Sequence, residues 1–338
     1  MKILKTGKVS PFFSLIFGLI FILFSIILFT SLGTVKIPFK DVVLSFFNVS
    51  SNSLYNKIIF NLRLPRILGT IIIGAILAIA GNDFQMIIKN PLADPFIIGI
   101  SSGASFGAII YTALKSVYGI DLPFGIEFFS FISALTATII TFSLAREGKK
   151  FPVISLILSG VIVGFVFNSI STLFTVLFWQ NLLHINFWLM GSTGNIVWSD
   201  LTILIVFLLL QIAINFILKK HIEVVAMGDD ISIFSGINPE KIKLIVLGIN
   251  VLAVSIVVSK AGIIGFVGLI IPHLVRKITG PDIHYSTIGA LIYGGIFLGF
   301  ADLFSRYLFR PTELPIGITT SLIGAPIFII IMKRGKKI

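Results

Sequence analysis

One segment decides how the rest of the chain is interpreted: Lys89–Gly107, KNPLADPFIIGISSGASFG. It lies between two long apolar segments, and it contains two prolines followed by glycines and serines. In Asn90-Pro91 and Asp94-Pro95, each proline follows a good N-cap residue, which is the pattern of a helix start. Because the residue before a proline is driven out of the helical region, the sequence predicts two successive bends.

A glycine face follows the two bends. Gly99, Gly103 and Gly107 recur every four residues, so they lie on one side of a helix that we predict to begin at Pro95. Small residues at this spacing let helices approach each other closely in lipid. The segment therefore predicts a sharp turn into a tightly packed membrane helix.

The composition indicates a polytopic all-α membrane protein. The 338 residues are 56% hydrophobic and 12% charged, whereas a soluble domain carries about 25% charged residues. Apolar runs near the ~20 residues that span a bilayer recur along the chain. We therefore interpret residues 1–338 as one transmembrane domain in the plasma membrane. The absence of cysteine excludes disulfides and thiolate metal sites.

Ten membrane spans are predicted. The first apolar segment is long enough to span and lacks a small-x-small cleavage site, so we interpret it as a retained helix. Lysines and arginines concentrate in alternate loops, which places both termini in the cytoplasm. The net charge of +12 is then a sign of topology, not of nucleic-acid binding. The predicted spans are 12–32, 62–84, 95–114, 124–145, 152–178, 200–218, 240–259, 263–278, 286–308 and 315–332.

Two arginines, Arg63 and Arg66, open the second predicted span on its outer side. Positive charge at a helix N-terminus opposes the helix dipole. Arginines at helix ends often extend to the membrane interface. They can equally form a patch for an acidic partner outside the membrane, and the spacing leaves both interpretations open.

The longest polar stretch, residues 219–240, lies in a predicted cytoplasmic loop. It predicts a short helix with Asp229 or Asp230 as its N-cap, Ile231 and Phe234 on one face, and Gly236 just after its end. Such a helix can be a plain connection or a knob that fits a groove on a cytosolic partner.

Ionisable residues within predicted spans are functional candidates. Asp302 and Asp83 are either ion-coupling carboxylates or partners of basic groups. For His273, which follows Pro272 near the inner interface, we expect a structural hydrogen bond instead of a proton relay.

Catalytic and nucleotide-binding motifs are absent from the sequence. It contains no cluster with metal-ligand spacing, no G-x-S-x-G motif and no G-x-x-x-x-G-K-[ST] phosphate loop. The chain is therefore not expected to be an enzyme, and an ATP-driven transporter would need its motor on another chain.

Five ordered motifs together resemble one family, the permease subunits of binding-protein-dependent ABC importers for iron-siderophore, haem and cobalamin, which have the type II importer fold. The motifs are RLPR (63–66), GNDFQMIIKNPLADPFIIGISSGASFGA (81–108), AMGDDISIFSGIN (226–238), GIIGFVGLIIPHLVRKITGPDIH (262–284) and ADLFSRYLFRPTELPIGITTSLIGAPIFI (301–329).

The resemblance implies a complex in the membrane lipid. Two copies of the chain would form a dimer with the pathway along their interface, two cytosolic ABC ATPases would bind below, and an extracytoplasmic binding protein would dock outside. The chain itself would bind no cofactor, since ATP and Mg would lie on the ATPases.

The resemblance also assigns roles to residues of this sequence. Span 5 would line and gate the pathway, and Asn82 and Asp83, with Gln85 beside them, would add polar groups near the inner end of span 2, where the family usually has small apolar residues. The docking arginines would be Arg63, Arg66 and Arg306; the coupling residues Met227, Gly228, Asp229, Asp230, Ile231, Phe234 and Gly236; and the pathway residues Asn168, Ser169, Ser171 and Thr172.

Three functions are weighed. The first is a permease subunit of an ATP-driven importer for an iron(III)-siderophore chelate, with cobalamin or haem as alternative cargoes. The second is an ion-coupled secondary transporter that uses Asp302 and Asp83, which would also need unwound helices near the midplane. The third, an intramembrane enzyme, is disfavoured because no catalytic constellation is found.

Overall fold

The computed structural model describes residues 11–33, 37–47, 53–120, 122–178, 185–280, 282–309 and 312–335. These residues form helices joined by short turns, with a single isolated bridge between Glu147 and Lys150. A π-helical turn, Ile59–Arg63, precedes α4, and a 3₁₀ turn, Pro95–Ile98, precedes α5. The helices are α1 (Pro11–Ser31), α2 (Phe39–Phe46), α3 (Ser53–Ile58), α4 (Leu64–Ile87), α5 (Ile100–Tyr118), α6 (Gly125–Ala145), α7 (Val153–Leu177), α8 (Ile185–Leu189), α9 (Trp198–Ile217), α10 (Lys219–Met227), α11 (Asp229–Phe234), α12 (Pro239–Ala261), α13 (Val267–Thr279), α14 (Ile283–Tyr307) and α15 (Ile316–Gly335).

A helix lies at each predicted span, and seven helical stretches of the described chain are long and apolar enough to cross a membrane. The prediction of an all-α polytopic membrane protein is thereby confirmed, while the count of ten spans and the side of each terminus stay predictions. The seven stretches are Pro11–Ser31, Leu54–Ile87, Gly125–Ala145, Val153–Leu177, Trp198–Ile217, Pro239–Ala261 and Ile283–Tyr307.

Helix α4 is the centre of the bundle. It is buried along most of its length and packs against α9, α12, α13 and α14. Gly74 of α4 faces Gly294 of α14 so closely that a Cβ atom on either would overlap the other's carbonyl oxygen. Gly81 meets the backbone of Gly268 in the same way. Glycine lets these backbones touch, as is typical of helix pairs in lipid.

The outer helices leave much of their surface uncovered. On α1, α6, α7 and α9 most residues are at least partly exposed, and the exposed side chains are largely leucine, isoleucine, valine and phenylalanine. Apolar side chains of this kind are stable only against lipid or another protein chain.

The first predicted bend is a tight turn and not a helix start. The Asn90 side-chain oxygen accepts a hydrogen bond from the Leu92 amide at 2.9 Å, and the Ala93 amide donates to the Asn90 carbonyl at 3.0 Å. These bonds close the turn around Pro91, so no helix extends from it.

The second bend leads into a helix through a short 3₁₀ turn. Asp94 caps the 3₁₀ turn, since its Oδ1 accepts from the Phe96 amide at 2.8 Å. Gly99 then has a φ of 92°, a left-handed conformation that favours glycine and ends the turn. The predicted capped start at Asp94-Pro95 is therefore confirmed as a 3₁₀ turn, and the α-helix itself begins at Ile100.

The predicted glycine face divides into two roles. Gly103 and Gly107 lie on α5 and contact α6, where a Cβ atom would collide with the carbonyl oxygens of Ser133 and Phe129. Gly99 instead supplies the left-handed residue before the helix. The close packing that the sequence predicted thus lies between α5 and α6.

Candidate functional site

The structure brings Arg63, Arg66 and Arg306 together at one end of the bundle. They line a cavity of about 550 Å³, together with Glu313 and Gly194 among others. Arg63 is 7% exposed and Arg306 is 4% exposed. These guanidinium groups are therefore largely built into the protein and do not extend freely into solvent.

Asp302 joins two of these arginines. Its carboxylate lies 2.9 Å from Arg66 Nη2 and 2.9 Å from Arg306 Nε, and it accepts from Thr193 Oγ1 at 2.9 Å. Asp302 is 1% exposed. Of the two interpretations open for Asp302, the structure favours the partner of basic groups, because its charge is already used by two guanidinium ions.

Arg63 and Arg306 also bind the C-terminal end of α1. Arg63 Nη1 donates to the carbonyl of Thr30 at 2.6 Å, and Arg306 Nη1 donates to that of Leu32 at 3.1 Å. Carbonyls at a helix C-terminus have no partner within their helix and carry partial negative charge. Arg63 thus opposes the dipole of α4 but stabilises the end of α1, which the sequence pattern alone does not reveal.

At the opposite predicted end lies α11, the helix of the polar loop. The structure corrects its N-terminus: Gly228 precedes the helix, and Asp229 is its first residue instead of its cap. Gly236 follows the helix with a φ of 75° and donates its amide to the Ile233 carbonyl at 2.9 Å, as expected of a residue after a C-cap. The preceding helix, α10, was not predicted separately.

The tip of this loop is an exposed apolar knob. We give the name coupling knob to Met227, Ile231, Ile233 and Phe234, whose exposed fractions are 69%, 48%, 58% and 91%. Asp230 beside them is also exposed. A phenylalanine with nine-tenths of its surface exposed, outside the apolar helices, is expected to be covered by another protein.

Charged side chains fix the coupling knob to the bundle. Lys243 of α12 is 5% exposed and donates to Asp229 Oδ2 at 2.7 Å and to Glu240 Oε1 at 3.0 Å. Lys89, in the turn after α4, donates to Asp229 Oδ1 at 2.8 Å. Glu240 Oε2 accepts from the backbone amide of Phe151, just before α7, at 2.8 Å. We call this chain of contacts the polar relay.

Asp229 stays ionised at physiological pH. Partial burial raises the pKa of Asp229, but the hydrogen bonds and charges of Lys243 and Lys89 outweigh that effect and hold the pKa below its usual value. The stability from these ion pairs is therefore present above the ordinary carboxyl pKa of about 3.9 and is lost as the pH falls through the lower folded value.

Helix α7 carries the predicted pathway residues. Asn168, Ser169 and Thr172 are exposed on it. Ser171 is 5% exposed, and its Oγ has no hydrogen-bond partner among the described residues. Three of the four predicted pathway side chains of α7 are thus exposed.

Asn82 and Gln85 lie inside the chain and not on this exposed surface. Arg276 of α13 donates to Asn82 Oδ1 at 2.8 Å and also binds Gln85 Oε1, while Gln85 Nε2 donates to the Gly268 carbonyl at 3.1 Å. These contacts join the inner end of α4 to α13. Nearby, Nε2 of His273 has no hydrogen-bond partner in the described part of the chain, so the expected structural bond is not seen there.

The sequence pattern did not identify several residues of these sites. Lys243 and Lys89 were counted only as topological charge, and Glu313 and Thr193 were not considered. Two pairs gave a local signal, Glu240 with Lys243 and Asp302 with Arg306, because residues three or four positions apart meet on a helix surface.

The structure is that of a polytopic membrane protein with a buried arginine cluster at one end and an exposed apolar knob at the other. The chain belongs to the FecCD transport family, whose profile matches residues 19–334. It is a multi-pass protein of the plasma membrane and a permease subunit of an ABC transporter, as its resemblance implied.

Curated relatives align over almost the whole chain. An uncharacterized ABC transporter permease of Bacillus subtilis (strain 168) is 38% identical over 94% of this chain and 93% of its own. The hemin transport system permease of Yersinia pestis is 31% identical over 98% of both chains. Other relatives are named as permeases for iron(3+)-hydroxamate, cobalamin and Fe(3+)-citrate.

A solved structure has the same fold. It is described as an inward-facing conformation of a putative metal-chelate type ABC transporter, and it matches with a TM-score of 0.83 and 26% identity. The match covers 95% of this chain and 98% of the other.

Proposed function

We propose that this chain is the membrane-spanning subunit of an ATP-driven importer for an iron(III) chelate of the siderophore type. The observation that carries the proposal is the coupling knob, an exposed apolar tip that buried charges fasten to the bundle. Relatives named for iron(3+)-hydroxamate and Fe(3+)-citrate support such a chelate, and the relatives named for hemin and cobalamin keep those two cargoes as alternatives.

The partner at the coupling knob would be a cytosolic ABC ATPase. Phe234 and Ile231 would insert into a groove on the ATPase, as amphipathic helices do in many complexes. ATP and Mg would bind to that partner. This assignment places the knob in the cytoplasm, in agreement with ten spans and two cytoplasmic termini.

The polar relay would transmit the motion of the ATPase. A displacement of α11 moves Asp229, which pulls on Lys243 and Lys89. Lys243 is in turn bound to Glu240, whose other oxygen holds the amide at the start of α7. The motion would thus reach the turn before α5 and the helix that bears the pathway residues.

A second copy of the chain would cover α7. Its exposed surface combines apolar side chains with Asn168, Ser169 and Thr172. Polar groups on a lipid-facing helix would be unfavourable, whereas they suit a pathway between two subunits. Few fixed charges there fit a bulky chelate that is held loosely.

The arginine cluster would receive an extracytoplasmic binding protein. Arg66 also pairs with Glu313 at 2.9 Å, and the Glu313 side chain is 39% exposed. A carboxylate of the docking protein could replace Glu313 on Arg66 while Asp302 keeps its own contacts. Docking would then exchange one exposed ion pair for another.

Uptake assays with a deletion strain test this function. Cells that lack the chain, and cells complemented with it, would be given radioiron as a hydroxamate, a citrate complex or hemin, and radiocobalt as cobalamin. We expect the deletion to abolish accumulation of iron from the hydroxamate or the citrate complex and complementation to restore it. Loss of hemin uptake alone or of cobalamin uptake alone would select that alternative cargo, and unchanged uptake of all four would contradict the proposal.

A further inference from the structure

A buried polar cluster joins three helices of the bundle. Asp83 of α4, Gln211 and Asn215 of α9, and Asn250 of α12 are each no more than 1% exposed. Asp83 Oδ2 accepts from Asn215 Nδ2 at 2.9 Å and from Asn250 Nδ2 at 2.8 Å. Groups buried this completely must satisfy their hydrogen bonds within the cluster.

The amide hydrogens of this cluster are all used. Asn215 also donates to the Gln211 carbonyl at 3.1 Å, and Asn250 also donates to the Val246 carbonyl at 2.8 Å. Gln211 donates to Asn250 Oδ1 at 2.7 Å and to the Ile76 carbonyl at 3.3 Å. Since a side-chain amide has two hydrogens, no donor is left over.

Oxygen atoms, by contrast, are left without a donor. Asp83 Oδ1, Gln211 Oε1 and Asn215 Oδ1 are buried and have no hydrogen-bond partner among the described residues. Asn82 also contacts the carboxyl group, and its amide nitrogen lies 3.4 Å from Ser286 Oγ and 3.8 Å from Met86 Sδ. Three oxygens of the cluster, one of them on the Asp83 carboxyl group, therefore lack a donor in the described chain.

No positive charge compensates Asp83 in the described part of the chain. Here α9 contributes amides only, and α14 contributes Ser286, which is bound to Asn82, and His284, which packs on Phe216. Three basic groups of other helices packed on α4 have their own partners: Arg276 of α13 with Asn82 and Gln85, Lys243 of α12 with Asp229 and Glu240, and Lys219 of α10 with Asp282.

We propose that the cluster is a proton-binding site and that the Asp83 carboxyl group carries an exchangeable proton on Oδ1. The proton removes the uncompensated charge and makes Oδ1 a hydrogen-bond donor for one of the two amide oxygens that the described residues leave without a donor. A metal ion fits less well, because the amide hydrogens that face Asp83 Oδ2 would repel it.

The site lies where three helices meet, so binding or loss of the proton affects how firmly they are joined. The cluster fastens α9 and α12, the helices on either side of residues 219–238, to α4. Loss of the proton leaves a buried carboxylate without a counter-charge and weakens this junction as the pH rises. Its effect on transport rests on the proposed function, whereas the site itself does not.

Infrared spectroscopy of the full-length protein, in lipid nanodiscs with any subunits that co-purify, tests the site. We expect wild type at neutral pH to show the carbonyl band of a protonated carboxyl group that Asp83→Asn lacks and that disappears at high pH. The midpoint of thermal unfolding of wild type should fall as the pH rises. That of Asp83→Asn should not, because its amide imitates the protonated acid.

Asp41→Asn, on the peripheral helix α2, is the matched control and should keep the band. A spectrum that Asp83→Asn leaves unchanged would show that Asp83 is ionised and would overturn the proposal. A midpoint that rises when NaCl replaces choline chloride would assign the site to sodium instead. Failure of Asp83→Asn to fold would also contradict the proposal of a proton-binding site. None of these results depends on an ATPase or a cargo.

Discussion

Asp302→Asn is expected to lower the free energy of unfolding by about 3 to 5 kcal/mol, because it leaves two buried guanidinium ions without their shared carboxylate. Arg66 keeps Glu313, but Arg306 loses its carboxylate partner. The measurement is the midpoint of thermal unfolding of the purified protein in detergent, which should fall by about 10 °C.

Glu313→Gln is the matched control for this variant. It removes the other carboxylate on Arg66, but one that is 39% exposed, and exposed ion pairs contribute only about 0 to 1 kcal/mol. A triple variant, Asp302→Leu with Arg66→Met and Arg306→Leu, should regain much of the lost stability, since apolar groups can replace a buried ion cluster. Equal midpoints for Asp302→Asn and Glu313→Gln would show that Asp302 does not anchor the cluster.

Lys243→Met is expected to separate ATP hydrolysis from transport. Methionine fills much of the volume of the buried side chain but breaks the contacts of Asp229 with α12 and of Lys243 with Glu240. Allosteric coupling of about 1 to 3 kcal/mol corresponds to a 5- to 150-fold effect. We expect about a tenfold fall in chelate transported per ATP hydrolysed, while basal hydrolysis by the assembled complex is kept.

Lys241→Met, two residues away, removes an exposed lysine on the same helix and should leave the ratio unchanged. Both variants would be reconstituted in proteoliposomes with the partner subunits. If Lys243→Met transports as much chelate per ATP as Lys241→Met, the polar relay does not carry the coupling.

The helices were predictable because their signal is local. A run of about 20 apolar residues marks a span wherever it occurs. Proline at a first helical position likewise marked the capped 3₁₀ turn that begins at Pro95, but it did not indicate that the left-handed Gly99 delays the α-helix to Ile100. The prediction that Asp229 caps its helix was wrong. Gly228 is the residue before the helix, and the Asp229 carboxylate pairs with lysines instead of capping its own helix.

The site contacts were not predictable from local sequence. Arg66 and Asp302 are separated by 236 positions, and Asp83 and Asn250 by 167. The four-residue spacing of Asp302 and Arg306 indicates one ion pair, but nothing local indicates that Arg66 meets Asp302 or that amides meet Asp83. The sequence could therefore mark both as candidates, but only the fold distinguishes an ion-paired Asp302 from an Asp83 that has amide partners alone.

The most direct test of the central claim is a photo-crosslinking residue at Phe234, the most exposed side chain of the coupling knob. The same residue at Phe124, which is 76% exposed at the predicted outer end of α6, is the control. Crosslinked adducts from intact cells would be identified by mass spectrometry. The account predicts that position 234, and not position 124, captures an ATPase that contains a phosphate-binding loop. Adducts with no such ATPase at position 234, in cells that import the chelate, would contradict it.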